Sequence, residues 1–292
     1  MNTFMSGNGS QALRFFKYVP SLAPAAVSIA LYSLVAIYLT VRIFMSKSPR
    51  FLYILPLTAI VIVVGFAFRI LCHFYTDLNR FLAMTLLLLL APNALALINY
   101  KAVGEIIRLS NVKTKYFFLR PRFVTWFFFC SDFLAFFLQG AGGGLQSNYK
   151  YKDLAVAITM VGLATQLFFF ACFAGITFYV QRSPKYQYYV EGQPDPKKKL
   201  IWCLYVTIGL LYVRSIYRFA EYATGYGGPI AVLEWAFYVF DTIAIFVSFL
   251  VYCVFFIGNY LPKYNAPPQS PGEVGSSSSQ TLKGDVESGE KL

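Results

Sequence analysis

Seven apolar runs separated by short polar segments organise the chain between residues 25 and 264. They span roughly 25–44, 51–71, 81–100, 123–141, 155–180, 200–219 and 232–257. Each is close to the ~20 residues that a helix needs to cross a bilayer core. Stretches such as MTLLLLLAPNALALINY show none of the alternation of a barrel strand. Helices are then the remaining way to satisfy backbone polar groups in lipid. The pattern predicts an all-α polytopic membrane protein, a seven-transmembrane-helix bundle over residues 25–264. The first run is long and ends in TVRIFMSKSPR, with no small-residue cleavage site, so it is expected to be a permanent span rather than a signal peptide. Residues 1–24 form a short N-terminal segment. Residues 265–292, rich in Pro, Gly and Ser, cannot bury a core and are expected to be a disordered tail.

Composition agrees with this pattern. The chain is 58% hydrophobic and 13% charged, against about 25% charged in soluble domains. Its net charge of +12 is distributed unevenly among the loops. Lys and Arg number 14 in the loops 45–50, 101–122 and 181–199 and the start of the tail, against 5 in the N-terminal segment and the loops 72–80, 142–154 and 220–231. Basic loops stay in the cytosol, so the N-terminus is expected outside and the C-terminus in the cytosol. The sequon Asn8-Gly9-Ser10 lies in the predicted outer segment and is a candidate glycosylation site. Basic residues divided among short loops do not make a nucleic-acid surface. Lys197, Lys198 and Lys199 abut the sixth run, where they would set topology and meet anionic headgroups.

Ionisable residues break the apolar pattern mainly in one place. The segment 214–241, RSIYRFAEYATGYGGPIAVLEWAFYVFD, carries Arg214, Arg218, Glu221, Glu234 and Asp241. A charge at the centre of a lipid-facing helix costs about 2.5–3.5 kcal/mol on insertion scales, so such residues face a protein interior, pair, or line a pathway. Arg214, Arg218 and Glu221 fall on one helical face at i, i+4 and i+7, with Tyr217 at its border. Glu234 and Asp241, with Tyr238 between them, make a second stripe, and Asp132 and Gln139 a third. Gln166 adds a polar group on the fifth run, Asn93 on the third and Arg69 on the second. Together these residues predict a polar vestibule from the midplane to the outer face, open to the outside or to the outer leaflet and able to bind a substrate or a coupling ion. An ion-pair network that only fixes helix register is the competing reading.

Several chemistries are excluded. His73 is the chain's one histidine, too few for a His-based zinc centre, so no metal site is expected. No GxxxxGK[ST] loop is present, so ATP-driven pumping by this chain is not expected. The run Gly140, Gly142, Gly143 and Gly144 lacks that context and is expected to form a turn or a close helix contact. Cys72, Cys130, Cys172, Cys203 and Cys253 show no paired spacing and are assigned to packing or lipid contact. Glu105 and Arg108 read as a solvated pair. No catalytic residue and no cofactor is expected.

These motifs resemble the fungal lipid-translocating exporters, the family that includes aminocholesterol-resistance and sphingoid long-chain-base export proteins. The segment 214–241 looks like that family's RxxYRxxE…E…YxxD signature. SDFLAFFLQGAGGG at 131–144 resembles its D…Q..GGG element, LAPNALALINYKAVGEIIR at 90–108 its AP…Y..LG.II.R element, and GLATQ at 162–166 also fits. Two departures stand out. Ile62 and Gly65-Phe66 occupy places where the family often has an acid and a Gly-Tyr pair, and Phe256-Ile257 stands where a His-Pro pair is frequent. The resemblance implies seven helices at the plasma membrane and movement of amphiphilic molecules: sphingoid bases, sterol-like compounds, toxins or, in one branch, porphyrins. Membrane lipids would be its partners. A seven-helix ligand receptor or membrane-stress sensor remains the alternative, and the sequence leaves oligomeric state open.

Overall fold

A computed structural model describes residues 21–46, 48–110, 119–145, 149–188, 190, 195–224, 228 and 232–261. Asn8, the N-terminal segment before residue 21 and the tail expected over 265–292 lie outside the described residues. Seven long helices cross the structure: α1 (Leu22–Ser46), α2 (Ile54–Phe74), α3 (Leu78–Leu109), α4 (Pro121–Leu145), α5 (Lys152–Arg182), α6 (Pro196–Ala223) and α7 (234–254). Each is long and apolar enough to span a membrane. Among the described residues there is no strand, and the protein is an all-α, seven-span integral membrane protein.

Short connections make successive helices antiparallel neighbours. The bundle closes where α7 packs against both α6 and α1. Helix α3 lies deepest, touching α2, α4, α5 and α6, with buried residues running from Met84 to Ile107. It contains Pro92, which removes one backbone bond but is tolerated where neighbouring helices enclose the break. Close approach between helices comes from small residues, which drive packing where lipid is as apolar as the side chains. A Cβ on Gly142 of α4 would collide with Thr159 and the Ala155 carbonyl of α5, and one on Gly162 would lie 3.0 Å from the Ala135 carbonyl. Gly142 therefore makes a close helix contact. The glycine run as a whole continues α4 to Leu145 instead of forming a turn.

Two further features fit a bilayer. Hydroxyls in the helices satisfy themselves on the preceding turn, as Thr58, Thr159, Thr177, Ser215 and Ser248 do by donating to the i−4 carbonyl, so they need no water. Many large apolar residues along the helices are exposed, among them Leu34, Phe44, Leu57, Phe137, Phe168 and Val254. Trp126, Trp202 and Trp235 are all exposed and lie near helix starts, as an interfacial belt requires.

Helix α7 is not uniform. A turn of α-helix at Glu234–Ala236 passes into a π-helical stretch, Phe237–Ile243, and then into α-helix at Ala244–Val254. The chain leaves the helix at Phe255, earlier than the predicted end at 257, and Phe256 and Ile257 turn inward and are buried. Helices α3 and α4 run past their predicted ends, to Leu109 and Leu145, because their last turns remain packed on neighbours.

Candidate functional site

The polar residues predicted from the sequence fall into layers along the bundle, beginning at the face where α1 starts. At that face Arg69, near the end of α2, is buried. Its Nη2 donates to Glu234 Oε1 at 2.9 Å and its Nε to the Tyr238 hydroxyl at 3.1 Å. The guanidinium also lies 4.6 Å from the Phe237 ring centroid, a contact that gains strength where water is excluded. The Ser21 amide donates to the same Glu234 oxygen at 3.0 Å, tying the entry of α1 to the start of α7.

The next layer joins α6 to the π-helical part of α7. Asp241 Oδ1 lies 2.7 Å from Arg214 Nε and accepts from Arg218 Nε at 3.1 Å. Arg218 also donates to Glu221 at 3.1 Å and stands over the Phe237 ring. Arg214 and Asp241 are each 2% exposed. Two cations and two acids balance here, which lets the group persist in a medium that penalises net charge. The neighbouring α1 supplies Tyr32, whose hydroxyl donates to the Thr242 carbonyl at 2.8 Å. π-Helical winding displaces carbonyls from the ordinary ladder, and a buried carbonyl needs a donor. Tyr217 stacks on Phe240 beside the same layer.

Amides form a third layer. Gln139 of α4 donates to Gln166 of α5 at 2.9 Å, and Gln166 donates to Asn93 of α3 at 2.7 Å. Asp132 is separate from all of these. It lies midway along α4, is 2% exposed, and accepts from the Tyr100 hydroxyl of α3 at 2.5 Å. Toward the opposite face, Asn99 accepts from Thr207 at 3.1 Å and Tyr252 at 2.8 Å, knotting α3, α6 and α7 together.

The sequence stripes expected from the spacing are thus present, with two differences. The predicted open vestibule is closed in this structure: Arg69, Arg214 and Asp241 are enclosed, and Arg218, Glu221 and Glu234 are only partly exposed. The second difference concerns Glu234 and Asp241. A regular helix puts residues seven apart on one face, but these two acids reach different neighbours, Arg69 on α2 and the arginines of α6. The π-helical turns between them change the phase, since i→i+5 winding takes roughly 4.4 residues per turn. Tyr32, Asn99, Tyr100, Thr207 and Tyr252 were not singled out from the sequence. Tyrosines and hydroxyls in apolar runs read as belt or back-bonded residues, and the available hint was the tyrosine within the 90–108 element. Among the described residues no cluster of His, Cys, Asp and Glu could hold a metal.

The model of the family described as RTA1 like protein matches residues 55–264. The chain belongs to the RTA1-like family. That match contains every helix but α1 and every charged residue of the layers above. Protein RTA1 of Saccharomyces cerevisiae is 30% identical over 197 residues, covering 66% of this chain and 61% of that protein. The yeast protein named protoporphyrin uptake protein 1 is 30% identical over 185 residues, 61% of this chain and 59% of that protein. A probable lipid transporter of Emericella nidulans, atnI, is 25% identical over 257 residues, 80% of this chain and 65% of its own length. The chain thus matches about three-fifths of the length of the first two of these RTA1-like relatives. No solved structure matches it. The two departures from the family pattern lie at packed positions. Ile62 and Phe66 are 1% exposed, and Phe66 stacks between Tyr32 and Tyr238 at 6.1 and 6.3 Å, placing an apolar wall between the first two layers.

Proposed function

We propose that this protein moves amphiphilic molecules across or out of the plasma membrane, with the layered polar interior as the path or the coupling site. The observation that carries the reading is the ionisable set Arg69, Arg214, Arg218, Glu221, Glu234 and Asp241. Its members interlock α2, α6 and α7 within an otherwise apolar bundle, where charges mark pathways more often than not. The relatives named for lipid transport and protoporphyrin uptake support a membrane transport role. The substrates in this reading are sphingoid bases, sterol-like compounds or porphyrin-like molecules. Their polar heads would meet Glu234, Glu221 and Arg218, the members of the set reachable from the face where α1 begins. Gln139, Gln166, Tyr217 and Tyr238 would orient them. The protein acts without catalysis in this account. The N-terminus is outside and the C-terminus is cytosolic, following the loop charges.

Reconstitution tests this directly. Purified protein in liposomes should accelerate movement of a fluorescent long-chain base, sterol or porphyrin between leaflets, with and without a proton gradient. Rates equal to protein-free liposomes for all three probes would overturn the transport reading. Modification of Asn8 by the lumenal glycosylation machinery checks the orientation.

A further inference from the structure

Charge balance singles out one residue. Among the described residues within the spans, Glu234 pairs with Arg69, and Asp241 and Glu221 pair with Arg214 and Arg218. Glu105 pairs with Arg108, and Asp153 is exposed at the start of α5, so among the described residues Asp132 is the buried acid left over. Its Oδ2 accepts from Tyr100, and its Oδ1 has no hydrogen-bond partner among the described residues. No cation among the described residues pairs with it.

The surroundings are aromatic and closely packed. The Tyr100 ring is fully buried against Phe128 of α4 and Phe170 and Phe173 of α5, at centroid distances of 5.5, 6.4 and 4.5 Å. Tyr212 of α6 stacks on Phe170 from behind. On its own helix Asp132 is flanked by Ser131, whose buried hydroxyl likewise has no partner among the described residues. The titratable groups brought here by α3, α5 and α6 are therefore phenols or none. An isolated ionised carboxylate is among the costliest groups to bury, and in practice such a group neutralises instead. A ligand ammonium would need open space beside a carboxyl that is 2% exposed, whereas a proton needs none.

We propose that Asp132 is a proton-binding site. At neutral pH it is a carboxylic acid, with the proton on Oδ1 and Tyr100 donating to Oδ2. When α3 and α4 part enough to admit water, the proton passes from Oδ1 to that water and the carboxylate is left hydrated. Proton release is thereby tied to opening of the bundle. The coupling half of this inference rests on the transport reading, and the site itself does not.

Infrared spectroscopy of the full chain in lipid nanodiscs tests the site without any substrate. The wild type should show, at neutral pH, the carbonyl stretch of a protonated carboxylic acid, sensitive to deuteration and lost as pH is raised. Asp132→Asn should remove that band, Tyr100→Phe should move its frequency without removing it, and Glu234→Gln should leave it in place. A wild-type protein with no protonated carboxyl at neutral pH overturns the proposal, independently of how any variant folds. So does a band that survives unchanged in Asp132→Asn. In the liposome assay, movement of amphiphile should lose its response to a proton gradient in Asp132→Asn. If the infrared band is present and no amphiphile moves, it is the transport reading that fails.

Discussion

Two buried aspartates in one bundle occupy opposite environments. Asp241 lies between two arginines and its charge is matched. Among the described residues, Asp132 has one phenol and no cation. From sequence they look alike: each is an acid deep in an apolar run, with no arginine within one turn on its own helix. The difference teaches that depth alone does not set the role of an intramembrane acid. Asp241 is built into the architecture, and its loss strands two cations. Asp132 can be neutralised with little structural consequence, which is the property a transient charge carrier needs.

The comparison can be broken most easily at Asp241. Asp241→Asn leaves Arg214 and Arg218 buried with only Glu221 opposite them. Loss of one member of a buried pair costs about 3–5 kcal/mol. The expected result is a large fall in melting temperature in detergent or nanodiscs, and an unchanged melt would show that the cluster is not a structural lock. Next in size is Gly142→Val, which forces side-chain atoms against Thr159 and the Ala155 carbonyl. Overpacking of this kind costs about 1–3 kcal/mol, read as a lower melting temperature with the α4–α5 contact opened. Glu234→Gln should cost about 1 kcal/mol, because Glu234 is 22% exposed and water screens its pairing with Arg69. Smallest should be Asp132→Asn, below about 1 kcal/mol, since Tyr100 still finds an oxygen to donate to and no cation is abandoned. If Asp132→Asn melts as low as Asp241→Asn, the contrast between the two acids is wrong.

Much of this was readable from the sequence. The apolar runs located all seven helices, because without barrel alternation a helix is the remaining way for the backbone to satisfy itself in lipid. The i, i+4, i+7 spacing on α6 correctly put Arg214, Arg218 and Glu221 on one stripe, since α6 is a regular helix. Partners across helices were not readable. Spacing along one helix cannot say that Asp132 meets Tyr100 of α3, or that Gln166 bridges Gln139 and Asn93. Nor could it say that Glu234 and Asp241 diverge, because periodicity assumes a uniform helix and α7 is not one. The vestibule expected at the outer half is packed shut here, since aromatic side chains such as Phe66 and Phe237 fill the space between the charges.

The wide turn at Phe237–Ile243 also bears on how this segment tolerates changes in length. A π-helical stretch holds more residues per turn than its rise requires, so it stores slack that an ordinary helix lacks. Deleting a single residue there would let the segment relax toward a regular helix without shortening the span appreciably. Six residues in ordinary turns sweep nearly the same angle as seven in wide ones, so the residues on either side would keep roughly their present directions. The same deletion in a regular helix would rotate everything on one side by about 100°. Residue count is therefore less tightly constrained at this turn than in the regular helices, as long as Asp241 itself is kept.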